Sequence, residues 1–209
     1  MNAVTNYEAL TSYRRTVSEM YARVRHSDKN QKERWSEFCS WRDNIFATHP
    51  QSALSMEQKS VFKGLRYYPY NPSLRYCVTV DPNVEPEVFE LELQADGLIK
   101  LQRFGKILFE AAGQPESLAL FWILGYGGGL FLPFRDLTNE TNTYEGGRYL
   151  LDTIKGADLG QEDGHLIVDF NYAYNPSCAY NPRWYCPLAP SENWLTVPIP
   201  AGELRYTVE

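Results

Sequence analysis

Histidine is the scarcest chemistry-bearing residue of the chain: His26, His49 and His165 are the only three in 209 residues, so a histidine-rich metal centre is excluded. The cysteines, at 39, 77, 178 and 186, contain no Cys-x-x-Cys pair, and Cys178 and Cys186 are too far apart in sequence for the short chelating pair of a structural zinc site. His49 or Asp169 would complete a ligand set only through the fold, so no metal and no cofactor is expected, and in a reducing cytosol the cysteines should be thiols. The chain has no GxxxxGK[ST], GxSxG or HExxH, and Gly125-Tyr126-Gly127-Gly128-Gly129 lies between apolar runs instead of leading into a helix as a phosphate-binding loop does. Positive charge is in deficit: 20 Lys and Arg against 26 Asp and Glu leave a net charge of -6. That balance argues against nucleic-acid binding, which needs a basic face to displace phosphate counterions. A membrane-length apolar run is also missing. Ser117 to Phe134 carries no charge, but the four glycines between 125 and 129 would each cost about 1 kcal/mol in a helix interior. They split the run into two short strands and a turn, and no membrane association is expected. MNAVTNYEAL lacks the basic stretch and apolar core of a secretory signal, which makes the cytoplasm the expected compartment.

What the chain does have is enough apolar content, 44%, to bury a core, with 22% charged residues to solvate its surface. From Thr5 to His26, Tyr7, Leu10, Tyr13, Val17, Met20 and Val24 recur at helical spacing, and Thr5 with Glu8 reads as a capping box. A second helix is predicted from about Asn30 to Ala47, with Trp35, Phe38, Cys39, Ile45 and Phe46 on its apolar side, and a short turn of helix from Ser55 to Ser60. Residues 1 to 34 hold seven Lys or Arg against four Asp or Glu. This basic excess reads either as an arm for an acidic partner or, since Glu8, Glu19, Asp28 and Glu33 interrupt it, as a solvated helix face. The apolar stripe of the first helix leaves a homodimer through the N-terminal helices open.

Beyond Arg66 the period changes to two. Leu74, Tyr76, Val78 and Val80 alternate with polar neighbours, as do Phe89, Leu91 and Leu93, and Asp96-Gly97 turns the chain into Ile99 and Leu101. Further strands fit 107–111, 118–124, 130–134, 147–153, 165–170 and 195–199. Their short connections cannot hold crossover helices, so the sheet should be antiparallel. The expected fold is mainly β, α+β overall: an antiparallel β-barrel or β-sandwich of about nine or ten strands behind an N-terminal helical appendage. Two loops break the rhythm, 135–146 and 171–193. The second is rich in Tyr and Trp and poor in charge, the wrong composition for disorder, and should pack over the β domain.

At these loops the chain resembles a known family. GLFLPFRDLTNETNTYEGGRYLLD at 129–152 and VDFNYAYNPSCAYNPRWYCPLAPSENWLTVPIPAGE at 168–203 are similar to the family catalogued as domain of unknown function 1684, as are HPQSAL at 49–54 and FKGLRYYPYNPSLRY at 62–76. The similarity covers roughly residues 41 to 209. It implies a β-rich family domain over 41–209, with residues 1–40 as a helical appendage whose second helix continues to about 47. It transfers no activity, substrate or catalytic residue.

Chemistry must therefore come from the residues themselves. A triad of Ser177, His165 and Asp169 fails, because residues four apart on one strand stand about 13 Å apart. Cys178 activated by His49 is open geometrically. The stronger constellation is polar: Arg135, Asp136, Tyr144, Arg148, Asp169, Asn171, Tyr174, Asn175 and Cys178 all sit at strand ends or in the aromatic loop. If those ends converge they line a mouth suited to a small ligand bearing a carboxylate or phosphate, which Arg grips with a bidentate fork. The plainer reading is that Arg148 pairs with Asp136 or Asp169 to brace the loop, and that the Asn-Pro pairs at 71, 175 and 181 are turn chemistry. Three function classes follow: a small-molecule-binding β domain, a hydrolase-like enzyme using Asp136, Asp169 or Cys178 in the same pocket, and an interaction module built on the aromatic loop and basic helix.

Overall fold

The structure is a computed structural model that describes residues 6–93 and 97–207. Helix α1 spans Tyr7–His26 and α2 spans Gln31–Thr48. Asn6 caps the first, accepting from Ala9 N at 2.9 Å, and Asn30 caps the second, accepting from Glu33 N at 3.0 Å. Asn is a strong N-cap because its side chain satisfies a donor the helix cannot. Thr5, the expected cap residue, lies outside the described residues. Helix α3, Met56–Ser60, starts with the reciprocal capping box of Ser55 and Gln58.

The strands are β1 Arg75–Val78, β2 Val88–Leu93, β3 Gly97–Ala111, β4 Gln114–Ile123, β5 Gly129–Phe134, β6 Arg148–Asp152, β7 Gln161–Glu162 and β8 His165–Asp169. They form two antiparallel sheets, a five-stranded meander ordered β2-β3-β4-β5-β6 and a three-stranded sheet ordered β1-β8-β7. Phe89 pairs with Leu101 and Leu91 with Ile99, as the alternation predicts, although Asp96 of the predicted turn is outside the described residues. The architecture is mixed α+β, and no closed barrel is found among the described residues.

Two expected strands differ in the structure. Residues 99–101 and 107–111 belong to one 15-residue strand, β3, which absorbs an irregularity between Arg103 and Gly105 as a bulge against β4. A Cβ at Gly105 would stand 2.8 Å from Val80 Cγ1. Glycine there lets the end of the β1 segment approach, and Asp81 and Lys106 exchange two backbone hydrogen bonds of 2.9 Å that lace the smaller sheet to β3. Residues 195–199 keep the predicted alternation, with Leu195, Val197 and Ile199 buried, but form no ladder strand. Pro198 and Pro200 have no amide hydrogen to donate, so no ladder forms; the segment is held by the parallel bridge between Arg135 and Trp194 and by isolated bonds such as Leu137 N to Val197 O at 3.3 Å and Ile199 N to Asp136 Oδ1 at 3.0 Å.

The main core lies among the sheets and this C-terminal segment, centred on Ile107, Leu118, Leu120, Leu132, Phe134, Val168, Phe170 and Ile199. A second core joins the helices to the loop after β8: Tyr21 of α1 meets Phe38 of α2 at 5.3 Å between ring centroids, and Phe38 meets Tyr172 at 4.8 Å. The C-terminal part of the α1 stripe, Met20 and Val24, thus finds its cover within the chain, whereas Tyr7 at its start is exposed. The 171–193 segment packs only partly over the β sheets: Asn193 is bonded to Ala119 and Pro133, but Tyr180 and Trp184 pack against Phe46, Ala53 and Leu54 on and after α2, and Tyr185 and Leu188 are exposed. Among the described residues no helix is long and apolar enough to cross a membrane.

Candidate functional site

Gly147 has φ +88°, and a Cβ there would meet Phe134 O at 2.4 Å, so only glycine lets the chain enter β6 this close to β5. The turn aims Arg148 inward. Its Nη2 donates to Asp136 Oδ2 at 2.8 Å and to Ile199 O at 3.1 Å, and its Nη1 donates to Ala201 O. Asp136 Oδ1 accepts from Thr138 N at 2.8 Å and Ile199 N at 3.0 Å. Both side chains are 0% exposed, and the guanidinium lies 5.0 Å from the Phe134 ring centroid. The pair clasps the C-terminal segment against β6 and has no solvent-facing edge, so the expected ligand mouth does not form around Arg148 and Asp136. The plainer sequence reading describes them.

The other predicted residues also disperse. Arg135 turns outward over Trp194, 4.5 Å from its ring centroid, and reaches Glu140 at 3.3 Å. Tyr144 places its hydroxyl 3.6 Å from Cys178 Sγ. His49, the expected activator of Cys178, instead stacks edgewise on Tyr13 at 5.2 Å, and its Nδ1 accepts from Gln51 N at 3.1 Å. Tyr174 and Asn175 belong to a buried charged knot: Arg42 Nη2 donates to Glu203 Oε2 at 2.8 Å, Asn175 N donates to the same carboxylate at 3.2 Å, and the Arg42 guanidinium lies 5.1 Å from the Tyr174 ring centroid. Tyr180 completes it by donating to Glu203 Oε1. Burial pushes the Glu203 carboxyl above its ordinary range, against the pull of Arg42.

Asp169 and Asn171 remain: Asp169 borders the place where the surface opens, and Asn171 is buried behind it. A cleft of about 520 Å³ runs between the α1–α2 turn and the β1-β8-β7 sheet, within the usual range of about 300 to 1,000 Å³ for small-molecule sites. Arg25 and His26 border it from the end of α1, Arg34 from the start of α2, Arg75 from β1, and Asp169 with Tyr172 from the β8 side. Asn171 donates to Asp169 Oδ1 through its backbone N at 2.9 Å and its side chain at 2.8 Å. Asn171 also clamps Asn71 through paired contacts of 2.7 and 2.8 Å, which fix the chain entering β1. Burial raises the Asp169 carboxyl to about 6, opposed by the Asn171 hydrogen bonds and by Arg75 and Arg34. Arg75 pairs with Glu162, and Arg25 donates to Asp158 O. Arg34 makes one long hydrogen bond, 3.5 Å to Val24 O, and its Nε is buried without a partner.

The cleft therefore holds three guanidinium groups against the carboxylates of Asp169 and Glu162. Sequence reasoning missed Arg25, His26, Arg34, Arg75 and Tyr172. The one signal in the sequence was the basic excess of residues 1–34, which reads as a solvated face until β8 is packed opposite it.

The model of a family described as protein of unknown function, DUF1684, matches residues 60–204. Among solved structures, the solution NMR structure of an uncharacterised protein from Haloarcula marismortui is similar, with 31% identity, a TM-score of 0.57, and coverage of 82% of this chain and 92% of its own. That match is longer than the family match, and only residues 205–209 follow the latter, so the likeness extends upstream of residue 60. No curated protein matches the chain.

Proposed function

The chain belongs to the DUF1684 family, and because that family's description names no activity, we propose from the chemistry of the cleft that it binds a small anionic molecule bearing a carboxylate or phosphate. The observation that carries this reading is the convergence of Arg25, Arg34 and Arg75 on one cleft in a chain of net charge -6, with Arg34 Nε buried and unpaired. A buried donor left without a partner costs about 1 to 3 kcal/mol, and an oxyanion bridging Arg34 and Arg75 would recover it through charge-assisted bonds. Asp169, which is paired with Arg75 across β1 and β8, and Tyr172 would orient the rest of the ligand, and Asp169, when protonated, can donate to it.

The test is a thermal-shift and calorimetric panel of inorganic phosphate, sugar phosphates and small di- and tricarboxylates. A true ligand at about a hundred times its Kd adds about 2.7 kcal/mol. That amounts to a rise of about 5 to 10 °C for a chain of this length. Arg34→Gln should abolish the shift while leaving the unliganded melting temperature close to the parent's. If no anion in the panel stabilises the protein at millimolar concentration, the reading fails. An enzymatic reading rests on one further observation, the raised carboxyl of Asp169 on the cleft wall, which suits a general acid or base near neutral pH. On that reading Asp169→Asn keeps ligand binding and loses turnover.

A further inference from the structure

The 171–193 segment brings Cys178 and Cys186 together. Cys178 lies in the 3-10 turn Ser177–Ala179, and its amide donates to Cys186 Sγ at 3.3 Å. Tyr144 Oη meets the Cys178 sulfur at 3.6 Å. Both cysteines are free thiols, and both are half-buried. Neither they nor Tyr144 borders the Arg34–Asp169 cleft.

The two sulfurs are not equivalent. The Cys178 thiol and amide and the positive charge of Lys155 favour the Cys186 thiolate, against the burial that opposes it. The Cys178 thiol is held in its neutral form by the neighbouring Cys186 sulfur and by burial, which acts on both cysteines. Tyr144 and Tyr149, the other titratable groups facing the pair, are driven toward their neutral phenols by burial. The remaining cysteines lack this arrangement. Cys39 is pushed up to about 12 by burial, and Cys77 is exposed beside Arg75 and Glu162.

We propose that Cys178 and Cys186 form a reversible dithiol–disulfide couple oxidised by small hydroperoxides, with Cys186 as the attacking sulfur and Cys178 as the resolving one. In the first step the Cys186 thiolate attacks the terminal peroxide oxygen. The S–O bond forms as the O–O bond breaks, and the alkoxide or hydroxide leaves with a proton from solvent, so that Cys186 becomes a sulfenic acid. In the second step the Cys178 sulfur attacks the Cys186 sulfur. The S–S bond forms, the S–O bond breaks, and the departing hydroxide takes the Cys178 proton to become water. Two thiols are thereby oxidised by two electrons, and the hydroperoxide is reduced by the same two electrons to an alcohol, or to water when it is hydrogen peroxide.

The experiment treats the full-length protein with a slight excess of hydrogen peroxide. Expected is a loss of two hydrogens in intact mass, a Cys178–Cys186 linked peptide after digestion, and reversal of both by dithiothreitol. Cys178→Ser should halt at a sulfenic acid on Cys186 that dimedone traps, and Cys186→Ser should give neither product. If Cys178 and Cys186 of the parent chain both remain alkylatable at a peroxide dose that oxidises Cys77, the couple does not exist. A dimedone adduct on Cys178 in the parent chain would overturn the assignment of roles.

Discussion

Arg148 and Asp136 illustrate how a charge can be buried for architecture alone: the guanidinium draws the carbonyls of Ile199 and Ala201 and the Asp136 carboxylate into one knot, and the carboxylate in turn holds the amides of Thr138 and Ile199. Removing the arginine strands a carboxylate that is 0% exposed. Arg148→Ala should therefore cost about 3 to 5 kcal/mol in urea unfolding, and a loss below about 1 kcal/mol would show that water reaches the site. Asp169 makes the opposite prediction. Its carboxyl is raised from the ordinary value to about 6, so the folded chain holds a proton that the unfolded chain releases near 4. The contribution of Asp169 to stability is fully present below about pH 4 and is lost as pH rises through about 6. Asp169→Asn should match the parent chain at pH 3.5 and exceed it at pH 7 by about 3 kcal/mol, since each tenfold change in proton affinity is worth about 1.4 kcal/mol. Equal stabilities of the two proteins across that range would show that the folded chain leaves this carboxyl at its ordinary acidity.

At the scale of elements, the helices are tied to the β part by specific contacts. Met20, Tyr21 and Val24 of α1 sit on Phe38, Ala157, Leu159 and Tyr172, and Gly156, at φ +82°, lies where a Cβ would meet the α1 backbone at Ser18 Cα, 2.9 Å away. Helix α2 is anchored by Arg42, whose side chain is 9% exposed, to Glu203, whose side chain is 1% exposed. Trp35 adds a hydrogen bond of 3.0 Å to Asn171 O, next to the Asp169 side of the cleft. Burying a large apolar side chain contributes about 1.5 to 3 kcal/mol. Deleting residues 1–27 should thus lower stability by about 5 kcal/mol or more and also remove Arg25 and His26 from the cleft. Urea unfolding with circular dichroism checks this; a truncated chain as stable as the parent would make α1 a true appendage.

Over the whole molecule, stability should be graded. Strands β4 to β6 carry Leu118, Leu120, Phe121, Leu132, Phe134 and Leu151 at complete burial, whereas β7 is a two-residue, exposed edge strand. Hydrogen exchange should place the central amides of β4 and β5 at the global unfolding free energy, with β7 and the residues beside it opening locally. Since β7 and Arg75 share one wall of the cleft, an anion bound there should slow exchange in β7 more than in β4. Uniform protection along the chain would contradict this gradient.

The sequence by itself determined the helices, the hairpin alternation and the aromatic loop's tendency to pack, because caps, period-two burial and composition act over a few neighbouring residues. Asn30 and Ser55 start helices through caps made with residues three positions on, and Phe89, Leu91, Ile99 and Leu101 must share a face in any sheet. Even the alternation at 195–199 was legible, while its lack of a ladder followed from prolines whose cost depends on a neighbour. Only the tertiary structure decided the site. Arg148 and Asp136 looked like a binding pair because local sequence does not tell whether a strand end faces solvent or a returning chain, and here residues 199–203 return over it. Arg34 and Arg75 lie far apart in sequence, as do Cys178 and Tyr144, and each pair acquires meaning from a contact that no local pattern encodes. Burial and pairing of charge are long-range properties of the packed chain, so the residues carrying them were visible in the sequence, and their roles were not.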